Sequence, residues 1–247
     1  MIRTGLTPLL FASFLLAADE KPKETKDVSR ILYAMPLAVK TGAKTKITLR
    51  GTKLEGVTEV KAPDSMKVKL ADKGRKATVP NNYPAAKLGD AECEIELELP
   101  KDFSGEMVEI TLVAPKGESK YKLAVAKEIN VEKEPNDGFA QAQKLTLPIT
   151  IDGTIGKEKD VDVFLLEGKS GQKIAAEILA ARLGSPADLR LTLYNAEYHV
   201  LAESDNTRGE PDPRISFTLP RDGTYYLGVQ ESNDLGGPQY GYRLLVK

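Results

Sequence analysis

The chain contains no tryptophan, one histidine (His199) and one cysteine (Cys93) in 247 residues. A lone cysteine excludes an internal disulfide. A lone histidine excludes the His-Glu-x-x-His zinc pattern. It also leaves a Ser–His–Asp triad one imidazole to draw on, and His199 falls in NAEYHVLAES, where a tight turn between strands is expected. The missing tryptophan weakens any carbohydrate-stacking platform. GKSGQ, around Ser170, is not the Gly-x-Ser-x-Gly elbow, and neither it nor GAKTK has Walker spacing. Net charge is −1, so no global field draws the chain to nucleic acid. With no catalytic constellation in view, the chain reads as a non-enzyme.

Long apolar runs are also missing, except at the start. MIRTGLTPLLFASFLLAADE has an early cation at Arg3, an apolar run from Leu6 to Ala18, and small residues before Asp19. That is the layout of a signal peptide over 1–18, too short and too broken by Pro8 to span a bilayer. After cleavage no membrane span is expected. The protein is then secreted, periplasmic or on the cell surface. Residues 19–29, DEKPKETKDVS, are charged and nearly free of large apolar groups, so a disordered tether is expected there. An exported chain without disulfides draws stability from core burial or from a metal.

What the chain does have is alternation. TKITLRG, KVKLA, CEIELELP, VEITLVAP and YKLAVAKEI are short period-two runs bounded by Pro, Gly, Asp or Lys-Gly. They predict a β-sandwich over 30–128. Cys93 shares parity with Ile95, Leu97 and Leu99 and belongs on the inner face. A second series of strands runs from ITIDGTIG to YGYRLLVK and predicts another β-unit over 129–247. KIAAEIL reads as a strand despite its alanines, because Ile174, Ala176 and Ile178 alternate. GFAQAQKL suggests a brief helical turn.

At the seam stands VEKEPNDGFAQAQKL, with Glu132, Glu134, Asn136 and Asp137 in six residues. Like charges so close repel, and either solvent or a cation must quiet them. Residues 31–128 carry 17 Lys/Arg against 14 Asp/Glu, whereas 132–247 carry 13 against 18. Calcium takes six to eight oxygens at about 2.3–2.6 Å. Those four side chains, with Asp160 and Asp162 of DVDVF, offer an all-oxygen set unlike a zinc site. A solvated linker is the other reading of the same residues. Asp205, Asn206 and Asp212 form a further acidic loop without EF-hand spacing. Tyr225 and Tyr226 face opposite sides of a strand. Tyr225 shares parity with Leu227 and Val229 and belongs to the core. Tyr226 is then an outward binding anchor, and Tyr194, Tyr198, Tyr240 and Tyr242 are expected to extend the aromatic surface.

Two resemblances sharpen this. KTKITLRGTKLEGVTEV, with Gly51, Thr52 and Leu54, resembles the opening of TIG/IPT immunoglobulin-like domains. Glu-Pro-Asn-Asp at 134–137, Asp-x-Asp-x-Phe at 160–164 and Pro-x-Asp-Gly-Thr-Tyr-Tyr at 220–226 resemble the bacterial pre-peptidase C-terminal domain, in that family's order. The resemblance implies an all-β chain of two tandem β-sandwiches, immunoglobulin-like and then jelly-roll-like. It also implies a module appended to secreted proteases and other exported proteins. Family members in collagenases bind collagen and hold calcium where the chain enters the domain. Carried over, Glu132, Glu134, Asn136, Asp137, Asp160 and Asp162 become calcium ligands. The expected partner is an extracellular protein or polymer, collagen-like or of the cell envelope. An accessory or targeting role beside a secreted peptidase is the alternative.

Overall fold

The computed structural model describes residues 28–79, 85–206 and 209–247. The expected signal peptide and all but the last two residues of the expected tether lie outside them. Ser29, at the tether's end, is buried and donates its hydroxyl to the Lys53 carbonyl (2.8 Å).

The first half runs β1 (Arg30–Met35), β2 (Ala38–Lys40), β3 (Lys44–Thr52), β4 (Glu59–Lys61), β5 (Lys67–Leu70), β6 (Arg75–Lys76), β7 (Ala91–Glu98), β8 (Met107–Ala114) and β9 (Gly117–Ala126). One sheet has the order β1-β3-β7-β5, with β6 also on β7; the other has β2-β9-β8-β4. Period-two alternation puts Ile47, Leu49, Cys93, Ile95 and Leu97 on one inner face. Val108, Ile110, Leu112 and Leu123 close on them from the other sheet. The glutamates between them face outward and pair with lysines of β3, as in Lys44–Glu96 and Lys46–Glu94, both 2.6 Å. Cys93 is fully buried, and burial pushes its thiol up to about 12. It is a core residue and not a nucleophile at neutral pH.

The second half runs β10 (Asn130–Val131), β11 (Gln143–Lys144), β12 (Ile149–Thr154), β13 (Val161–Gly168), β14 (Lys173–Leu179), β15 (Leu189–Tyr194), β16 (Val200–Ser204), β17 (Arg214–Thr218), β18 (Gly223–Glu231) and β19 (Gly241–Val246). Its sheets are β10-β12-β19-β14-β17 and β11-β13-β18-β15-β16. Ile151, Ile174, Ile178, Tyr242 and Leu244 of the first sheet pack against Phe164, Leu166, Leu191, Tyr225 and Leu227 of the second. KIAAEIL is the strand its alternation predicts, and GFAQ holds a one-turn 3-10 helix, Phe139–Gln141.

The two sandwiches touch at glycines. Gly184 has a left-handed φ of +85°, and a Cβ there would lie 2.6 Å from the Tyr121 hydroxyl and 2.7 Å from the Leu32 carbonyl. The space lets Tyr121 donate to the Leu183 carbonyl (2.8 Å) across the seam, and burial raises the phenol to about 12. Met35 of β1 packs likewise on Gly241 of β19. Tyr121→Phe should cost about 1 kcal/mol, read as a lower urea midpoint with an unchanged slope.

Candidate metal centre

Asp160 immediately precedes β13 and Asp162 is its second residue; two apart in extended chain, they lie on the same side. Both are buried. Above them the incoming segment passes alongside β12. β10 pairs in parallel with β12, and the Glu132 amide continues the ladder by donating to the Asp152 carbonyl (3.0 Å). Further on, Val163 donates its amide to the Asn136 carbonyl (2.9 Å). The two acidic stretches are thereby stitched together by backbone.

One oxygen each from Glu134, Asp160 and Asp162 lies within 4.8 Å of the others. Two ligands of one calcium ion, each about 2.4 Å from it, can be no more than about 4.8 Å apart, a limit that these three oxygens meet. Asn136 is fully buried beside them. Turned one way, its amide nitrogen donates to Asp162 Oδ1 (3.2 Å) and Glu134 Oε2 (2.9 Å). Turned the other way, its oxygen joins the cluster, an arrangement only a cation makes favourable. Asp160 Oδ2 accepts from the Gly156 amide (2.7 Å). Its Oδ1 accepts no hydrogen bond, and the nearest positive group is the Lys157 ammonium, 3.5 Å away. A buried carboxylate oxygen without a donor is costly unless something positive reaches it.

Glu132 stands one step back. Its Oε1 accepts from the Thr154 amide (2.6 Å). The Tyr242 hydroxyl, fully buried, lies 3.0 Å from Glu132 Oε2 and 2.6 Å from Asp162 Oδ2. One phenolic proton thus serves two carboxylates. Burial raises the pKa of Asp162, and the neighbouring Glu132 charge adds to the rise. Burial likewise raises Glu132, against the opposing Thr154 amide. Tyr242 is raised by burial and by the same two acids. Without a cation, the pair therefore retains protons that ordinary carboxylates lose.

Asp137 does not join the cluster. Its Oδ1 takes the Lys157 ammonium (2.8 Å), which holds its carboxyl below the usual range. Glu134, Asn136, Asp160 and Asp162 meet, Glu132 is linked through Tyr242, and Asp137 pairs at the rim. Tyr242 and Lys157 were missed as parts of the site. Tyr240 and Tyr242 were expected at the surface and are buried. Their shared parity with Leu244 and Val246 was the available signal, whereas GKEKD offers none for Lys157. In the acidic loop, Asp212 is buried and accepts from Ala181 N, Arg182 N and Arg182 Nε, so both of its oxygens already have donors.

The outer face of the second sheet carries Tyr226, half-buried, opposite the core ring of Tyr225. Phe139 stacks on Tyr198 (centroids 4.2 Å) and meets Tyr194 and Tyr226 edge-on (5.2 and 5.1 Å). Tyr198 is 52% exposed. His199, beside it, lies in the exposed turn between β15 and β16, where Asn195 Oδ1 accepts its backbone amide (2.8 Å).

Residues 160–231 match the bacterial pre-peptidase C-terminal domain family. Over 105 residues the chain is 38% identical to a probable subtilase-type serine protease of Deinococcus radiodurans. That match covers 41% of this chain and 14% of the protease, so the chain spans only a small part of its curated relative. Solved structures with similarity include the pre-peptidase C-terminal domain of a Bacillus anthracis collagenase (20% identity, TM-score 0.37, 47% of this chain and all of that one). Another is PliG of Aeromonas hydrophila, a periplasmic inhibitor of g-type lysozyme (14%, 0.35, 49% and 98%).

Proposed function

We propose that this chain, whose C-terminal half carries a bacterial pre-peptidase C-terminal domain, is an exported, non-catalytic binding protein clamped by calcium. The observation that carries the reading is the meeting of the exposed Glu134 with the buried Asp160 and Asp162, where an Asp160 oxygen accepts no hydrogen bond. The donors are oxygens only, which suits calcium and not zinc. Glu134, Asn136, Asp160 and Asp162 hold the ion, and the ion supplies charge neutralisation and a tie between the incoming segment and β13. Glu132 and Tyr242 orient Asp162 from behind.

Recognition is assigned to the outer face around Tyr226. The neighbouring charges are paired with one another: Arg221 with Glu197, and Lys144 with Glu167 (3.7 Å). A face of rings with its charges already matched suits an extended, uncharged stretch of extracellular polypeptide. Retention of the full chain on insoluble collagen, cell wall and polysaccharide tests this. Protein matrices should retain it, and Tyr226→Ala should weaken retention at least about tenfold while leaving stability within about 0.5 kcal/mol. Retention on polysaccharide alone overturns the polypeptide assignment.

The alignment with a subtilase-type protease favours a second reading, an accessory module of a secreted peptidase. Comigration with a peptidase encoded nearby, together with no retention on any matrix, would select it.

A further inference from the structure

Phe139 joins two features that are otherwise separate. It follows Asn136 by only Asp137 and Gly138, and Gln141 N donates to the Gly138 carbonyl (2.9 Å) to close the turn that holds it. Its ring is the common neighbour of three tyrosines drawn from different parts of the chain. Tyr194 ends β15 and lies over Gly228, where a Cβ would come 3.2 Å from its ring. Tyr226 lies in β18. Tyr198 sits in the turn after β15 with a φ of +64°, unusual for a residue with a side chain. Apart from Phe139, the ring contact of Tyr198 is a tilted one to Tyr226 at 5.6 Å. At the other end of this short lever stands Asn136, fully buried beside Glu134 and Asp162, with its backbone carbonyl accepting the Val163 amide (2.9 Å) at the start of β13.

We infer that Phe139 couples the cation loop to the tyrosine face, so that filling the loop fixes the rings that meet the partner. This rests on the reading of Glu134, Asn136, Asp160 and Asp162 as a cation site. A chain of two residues between a ligand and a ring transmits a change of loop setting with little slack. Coupling of this kind is reciprocal: if calcium steadies the rings, the rings tighten calcium by the same factor.

The test uses the full chain, calcium chloride, titration calorimetry and near-ultraviolet circular dichroism. The chain has nine tyrosines and no tryptophan, so the dichroism reports the tyrosine environment without indole overlap. The tyrosine signal of the parent should change with the same midpoint as the heat. Tyr198→Ala, at an exposed position that ligates nothing, should weaken calcium binding about 3–10-fold. Phe139→Leu should lose more than half of the dichroism change. If calcium binds the parent but the tyrosine signal stays flat, or if both variants bind as the parent does, the coupling is wrong and the cation site stands. A parent that binds no calcium overturns both.

Discussion

Millimolar calcium should raise the melting temperature by about 5–10 °C, and chelator should reverse the shift. An ion at a hundred times its dissociation constant stabilises by about 2.7 kcal/mol, and 1 kcal/mol shifts a protein of this size by about 2–4 °C. The gain depends on pH in a defined direction. Burial raises the pKa values of Glu132 and Asp162 in the folded protein. The stability this contributes is complete below the ordinary carboxylate range and is lost as pH climbs through the raised values. The calcium-free protein therefore weakens on the alkaline side. A calcium ion would bind the ionised carboxylates, so its effect should grow over the same interval. Asp162→Asn keeps the shape, removes the charge and should abolish the calcium shift. In chelator at pH 8 it should melt above the parent, because the parent is the one burying an ionising pair. A parent melting curve indifferent to calcium, chelator and pH would sink the metal assignment.

Gly153→Ala should cost about 2–6 kcal/mol and reduce the calcium shift by more than half. Gly153 lies in β12 directly across from Tyr242 in β19, so their side-chain positions share a face. A Cβ at 153 would clash with Cζ and the hydroxyl of Tyr242 and lie 2.5 Å from Glu132 Oε2. The ring is fully buried and has little room to retreat. Overpacking of this kind costs about 1–3 kcal/mol. Displacing the hydroxyl then strips a donor from both Asp162 and Glu132, at about 1–3 kcal/mol more. Gly138→Ala is the control: its φ of −171° is ordinary extended backbone, and nothing lies within 4 Å of a Cβ there. It should stay within about 0.5 kcal/mol. Urea melts with and without calcium measure both variants.

Much of this arrangement was legible before any coordinates, because strands write their burial in a period of two. Cys93, Ile174 and Tyr225 lie on the inner faces that parity assigns. The same rule put Asp160 and Asp162 side by side. It could not say which carboxylate a nearby cation would claim. Asp137 goes to Lys157 because a loop brings that ammonium back over twenty residues, and no local pattern encodes such a return. Tyr242 was within reach of the parity rule, yet it was expected to extend the aromatic surface of the C-terminal half. Its hydroxyl tolerates full burial only because two acids accept from it, and those acids come from 80 and 110 residues away.

The pairing of β10 with β12 has a mechanical consequence. Asn130 lies beside Ile151, and Ile149 lies opposite Val246, so the chain enters and leaves this sheet at the same end. A pull between the first sandwich and the C-terminus would therefore peel β10 away rung by rung, not slide it lengthwise. β10 offers two residues of resistance. Behind it come the Glu132 rung and then the clustered acids, where a bound ion would be the rivet that stops the tear.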